Sequence, residues 1–131
     1  MADVIYDVVC PACGRRAWAR MVPGRLAGTY REPRRRNVAR RIGCDHCGRF
    51  QEVSAARGEA YRLWFRVDFQ GHTLWANNEG HLDFLIAWLE GDLDPRRLEF
   101  PDRALVEALP RWMLQARRAV AERLRRLKAR G

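Results

Sequence analysis

Two short runs, Cys10-Pro-Ala-Cys13-Gly14 and Cys44-Asp-His-Cys47-Gly48, contain all four cysteines of this 131-residue chain. Two residues separate the thiols of each pair, the spacing at which one tight turn aims two sulfurs at one point. The glycine after each pair suits the positive φ that closes such a turn. Two turns of this kind supply four sulfur ligands. A closed tetrahedral set of four predicts one Zn²⁺ held by Cys10, Cys13, Cys44 and Cys47 for structure, because a catalytic zinc keeps one position open for water. Disulfides and an iron centre are the lesser alternatives. The chain begins Met1-Ala2-Asp3-Val4, without the basic start and apolar run of a secretory leader. The expected location is therefore the reducing cytoplasm, where thiols stay available to metal.

The hydrophobic pattern divides around the cysteines. Residues 4–9 read as a strand entering the first turn and 17–22 as the strand leaving it. Residues 38–43 and 49–53 repeat the arrangement around the second turn, and 23–37, rich in Gly, Pro and Arg, form the loop between. Strand, turn, strand, loop, strand, turn, strand is the order of a zinc ribbon. So small a unit buries little apolar surface and needs a staple.

In residues 60–69, Tyr61, Leu63, Phe65, Val67 and Phe69 fall on one face, which predicts a half-buried strand. Gln70-Gly71-His72 turns the chain, and 73–76 return as the second strand of a β-hairpin. Asn77 or Asn78 caps a helix with Leu82, Leu85, Ile86 and Leu89 on one face, stopped at Gly91. A short helix is expected over 101–109, and Pro110 opens a last one reaching about 129. The expected fold is α+β: a Cys₄ zinc ribbon over 1–58, then a hairpin and two to three helices over 59–131, either separate or packed with the ribbon as one unit.

Net charge is +9, and Lys128 is the only lysine among the 25 basic residues. Residues 1–58 carry +7, 59–109 carry −5 and 110–131 carry +7. Arginine suits planar contacts with phosphate. The inter-turn segment holds Arg31, Arg34, Arg35 and Arg36, followed by Arg40 and Arg41. These could pair with phosphates while Tyr30 stacks on a base. Arg117, Arg118 and Arg125 on the last helix either join that contact or form the charged face of a packed seam. Nucleic acid, DNA or RNA, is the leading partner. A protein adaptor, self-associating through the opposed charges or serving as a small subunit of a larger complex, is the alternative.

Other classes have little support. No run approaches the roughly 18 apolar residues of a membrane span. Neither GxxxxGK[ST] nor GxGxxG occurs. His72 and His81 have no nucleophile with a paired base beside them, and Ser54 is the only serine. No small-molecule substrate is expected, and the chain reads as non-enzymatic.

The paired CxxCG turns over residues 4–55 resemble the ribbons of transcription elongation factors and RNA polymerase small subunits, which implies docking on nucleic-acid machinery. Where elongation-factor ribbons carry an acidic pair that assists RNA cleavage, this chain has Arg34-Arg35-Arg36 with Glu32 alone nearby. That departure argues against cleavage stimulation. Residues 74–82, LWANNEGHL, and Leu109-Pro110-Arg111-Trp112 resemble the second half of small uncharacterised bacterial zinc-ribbon proteins. This likeness implies architecture more than activity.

Overall fold

A computed structural model describes residues 4–23, 37–52, 62–99 and 102–131. Strands β1 (Val4–Val9), β2 (Arg16–Pro23), β3 (Asn37–Gly43) and β4 (Phe50–Glu52) form an antiparallel sheet in that order. Strands β5 (Phe65–Phe69) and β6 (His72–Ala76) form a separate hairpin. Helix α1 spans Glu79–Leu89, a 3₁₀ turn Pro95–Arg97, α2 Asp102–Glu107, α3 Arg111–Gln115 and α4 Arg117–Arg130. The mixed α and β content and the order of the elements agree with expectation.

Alternation along the strands decides the sheet's two faces. Tyr6 and Val8, then Ala17, Ala19 and Met21, and Ala39 of β3 are buried, while Asp7, Arg16, Trp18 and Arg20 point the other way. The register between β2 and β3 slips once. Arg20 lies opposite Arg41, but Met21 lies opposite Ala39, which leaves Arg40 as an extra residue. This β-bulge keeps Ala39 facing inward with Met21 and places Arg40 and Arg41 consecutively on the outer side.

The expected single strand over 60–69 is two pieces. Val9 N–H donates to the Arg62 carbonyl (2.8 Å), Trp64 N–H donates to the Asp7 carbonyl (2.9 Å), and Leu63 pairs with Val8. Beyond a bend at Trp64 the chain joins the hairpin, with Phe65 opposite Ala76. The chain changes partner because β1 presents an open edge, and unpaired strand groups need partners. Gln70 (φ 47°) and Gly71 (φ 80°) form the two-residue hairpin turn, whose two positive φ values match the twist of the strands. His72, expected in that turn, is the first residue of β6.

Asp7 ties the four-stranded sheet to helix α1. Its N–H donates to the Asn77 carbonyl (2.6 Å), and its carboxylate accepts from Arg16 (2.8 Å) and from the backbone N–H of Glu79 (3.2 Å). Arg16 also reaches Glu79 (3.4 Å) and lies 5.0 Å from the centroid of the Phe65 ring. Asn78 caps α1 by accepting from His81 N–H, and donates its own amide to the Ile5 carbonyl, each at 2.8 Å. The cap therefore also holds the helix to β1.

Helices α1 and α4 cover the hairpin with Leu82, Leu85, Ile86 and Leu89 from one and Val120, Ala121, Leu124 and Leu127 from the other, all buried. They run antiparallel. Lys128 pairs with Asp83 at 2.5 Å, and Arg117 donates to the carbonyls of Leu89 and Trp88, both at 2.9 Å. Helix α1 has no basic residue in its last turn, so Arg117 of the neighbouring helix supplies the cation and donors that its end requires. Arg125 and Glu90 form a two-pronged pair that holds the Glu90 carboxyl below its ordinary pKa.

The single last helix expected from Pro110 onward is broken at Ala116 (φ −114°, ψ 31°). Two docking demands meet there. Trp112 stacks on His72 (centroids 4.0 Å apart, 9° between planes) and on Phe69 (6.3 Å, 19°), while Arg117 must reach the end of α1. Trp64 and Trp88 are half-buried against the hydrophobic core, and Trp75 is buried within it.

Leu124 is fully buried in this seam. Leu124→Ala is expected to lower unfolding free energy by about 2–5 kcal/mol, read from urea denaturation followed by far-ultraviolet circular dichroism. A loss well under 1 kcal/mol would show that α4 does not seal the core.

Candidate metal centre

Strand β1 runs into the first cysteine turn and β2 leaves it; β3 and β4 flank the second in the same way. The two turns are built alike. Gly14 N–H donates to the Cys10 carbonyl (2.9 Å) and Gly48 N–H to that of Cys44 (2.8 Å). Cys10 N–H donates to the Arg15 carbonyl (2.8 Å) and Cys44 N–H to that of Arg49 (2.9 Å). Gly14 and Gly48 both sit at φ 75°, where a Cβ would be strained. In the first turn the N–H groups of Ala12 and Cys13 point at Cys10 Sγ, at 3.4 and 3.5 Å.

Antiparallel pairing of β2 with β3 brings the turns together at one end of the sheet. Cys10 Sγ lies 3.7 Å from Cys47 Sγ, Cys13 Sγ lies 3.6 Å from Cys44 Sγ, and all four sulfurs fall within 4.8 Å of one another. None is in a disulfide. A tetrahedron with metal–sulfur bonds of about 2.3 Å has edges of about 3.8 Å, so the cluster has the dimensions of a four-thiolate site. Cys10 and Cys44 are buried, and Cys13 and Cys47 are at the surface. These residues could hold one metal ion, and an all-sulfur tetrahedral set suits zinc or iron.

The sulfurs alone are electrostatically opposed. N–H donation from Cys13, helped by Ala12 N–H and the adjoining sulfurs, brings the Cys10 thiol down to about 6. At Cys13 the Arg15 N–H favours the thiolate, but burial and the three neighbouring sulfurs push the thiol up to about 11. Four thiolates at these distances require a cation among them.

His46, inside the second turn, is exposed and its Nδ1 lies 3.5 Å from Arg15 of the first. It bridges the turns from outside instead of joining the sulfurs. His81 is buried, with Nδ1 accepting from Asn77 N–H (3.0 Å), which gives it a local role at the start of α1.

The basic residues expected to meet phosphate divide. Tyr30, Arg31, Arg34, Arg35 and Arg36 lie outside the described residues. Their segment joins Pro23 to Asn37, which pair with each other at the end of the sheet away from the cysteine turns. Arg40 is exposed at the bulge, and Arg41 is half-buried with an ion pair to Glu52 at 3.4 Å. Arg117 and Arg125 are engaged with α1, whereas Arg118 is exposed. Sequence reasoning missed Trp18 and Phe50. They share a row of the outer face with Gly43 between them, their centroids 6.2 Å apart. The alternation Ala17-Trp18-Ala19-Arg20-Met21 already set Trp18 opposite to the small buried residues.

Among the described residues no helix is long and apolar enough to cross a membrane. Compared with known protein families, with curated proteins and with solved structures, the chain matches none.

Metal affinity is expected to rise with pH, since protons compete for the thiolates that bind it. Competition with a chromophoric chelator at two pH values measures this, and equal affinities would exclude thiolate ligation. Cys44→Ser, or complete chelation, is expected to unfold the four-stranded sheet. A native-like circular dichroism spectrum after verified metal removal would contradict a structural site.

Proposed function

We propose that this chain is a non-enzymatic binding module in which one zinc ion staples a ribbon that contacts nucleic acid, largely through phosphates. The observation that carries the reading is the bulge in β3. It sets Arg40 and Arg41 side by side on the outer face of the sheet, opposite Arg20, on the strand that continues from the arginine-rich segment 24–36. Consecutive residues of a regular strand face opposite ways, so two adjacent arginines share a side only because the register slips. Zinc's contribution when bound would be structural: it would offset the mutual repulsion of the thiolates and fix the two turns that orient these strands.

The ribbon is favoured over the last helix as the contact surface. Arg117, Arg125 and Lys128 of α4 already bind α1, and a phosphate would have to displace those contacts. The Arg41–Glu52 pair is longer, at 3.4 Å, and 70 % of the Glu52 side chain is accessible; surface pairs of this kind are worth about 0–1 kcal/mol. A phosphate can replace it.

Binding to mixed-sequence oligonucleotides is expected to weaken steeply with salt, with log Kd linear in log salt concentration. Replacing both Arg40 and Arg41 by Ala should weaken binding across sequences and reduce the salt slope by about 1 for each phosphate no longer neutralised. Fluorescence anisotropy at several salt concentrations reads both. Negligible affinity for DNA and RNA at low salt would overturn the proposal.

A further inference from the structure

Trp18, on the outer face, sits on a gap in the neighbouring strand. A Cβ built on Gly43 would lie 2.2 Å from one atom of the Trp18 indole and 2.5 Å from another, so the ring lies directly against the glycine backbone. Gly43 in turn pairs with Phe50 on β4, whose ring is tilted 57° to the indole. Phe50 is 59 % exposed, the most exposed large apolar side chain among the described residues. The next row along the same face reads Arg20, Arg41 and Glu52, with Arg40 displaced beside it at the bulge. Residues two apart on a strand are separated by about 7 Å, so the aromatic row and the arginine row are immediate neighbours.

Resting on the nucleic-acid reading above, we propose that this face binds unpaired nucleotides: Trp18 and Phe50 stack on a base, and Arg40 and Arg41 hold the adjoining phosphates. Three features select a single strand over other occupants. The indole against Gly43 and the exposed Phe50 ring beside it offer aromatic surface to a base, and in a duplex the base faces are already covered by their neighbours. Guanidinium groups one row away match the polyanionic backbone of the same strand, and residues 1–58 carry a net +7. Neither ring is needed to close the core, which the opposite face fills with Tyr6, Val8, Ala17, Ala19 and Met21.

The test uses the zinc-loaded full chain and short fluorescent oligonucleotides, deoxy and ribo, each single-stranded and as the matching duplex. Single strands of either sugar are expected to bind more tightly than the duplex. Phe50→Leu keeps apolar bulk at an exposed site but removes the ring, and should weaken single-strand binding by about tenfold while leaving duplex binding unchanged. Phe50→Tyr keeps a stacking ring and should restore it. Equal affinity for single strand and duplex, with Phe50→Leu silent, would overturn the stacking site yet leave phosphate binding intact. Absence of binding to any oligonucleotide at low salt would overturn the broader reading as well. Poly-aspartate binding as tightly as an oligonucleotide of equal charge, and losing affinity equally in Phe50→Leu, would assign the face to an acidic protein segment and refute the proposal.

Discussion

Four sulfurs within 4.8 Å of one another are the constraint on which the sheet depends. Each turn organises its own carbonyl and N–H groups, but neither turn attracts the other. Thiolates repel, and burial together with the three neighbouring sulfurs pushes the Cys13 thiol up. A divalent cation bound among them would reverse that sign and hold the two turns together. The strands then inherit their register from the turns. Because β1–β2 and β3–β4 both start from the cluster, the pairing of β2 with β3 is set at one end, and the single slip at Arg40 is taken up farther along.

The second constraint is electrostatic and lies between the sheet and the helices. Asp7 uses its N–H, carbonyl and carboxylate to bind Asn77, Trp64, Arg16 and the start of α1. The carboxylate accepts from Glu79 N–H at the positive end of that helix, a favourable placement for an anion. At the other end of α1 the needed cation arrives from Arg117. The acidic middle of the chain and its basic end thus meet inside one molecule, through Asp83 with Lys128 and Glu90 with Arg125. Part of the three-part charge pattern that suggests contact between copies is thereby satisfied within one chain.

Local features are legible in the sequence. The cysteine spacing announces the cluster, alternation places the strands around it, and Asn78 and Gly91 bound α1 where capping chemistry requires. What is not legible depends on partners distant in sequence. The bend at Trp64 exists because the edge of β1 claims residues 62–64, and nothing within AYRLWFRVDF signals that competition. The break at Ala116 has a similar origin, since alanine favours helix and only the separate needs of Trp112 and Arg117 interrupt it. Trp18 reads from the sequence as one more strand residue, because its significance rests on a glycine 25 positions away.

The juxtaposition of Trp18 with Gly43 also separates what folding requires from what it leaves unexplained. A glycine in a strand weakens it, and it is tolerated where another group must approach the backbone closely. The indole is that group, so Gly43 is accounted for by Trp18. Trp18 is not accounted for in the same way. It faces away from the buried side, and a smaller β-branched residue would satisfy the strand with less exposed apolar area. Phe50 compounds the problem, standing on an edge strand where exposed apolar side chains invite association. Covering the indole explains part of its position, yet more than half of its own surface remains in water. Two rings that add little to the core, set one row from three arginines, are better explained by something that stacks and carries negative charge than by the stability of the sheet.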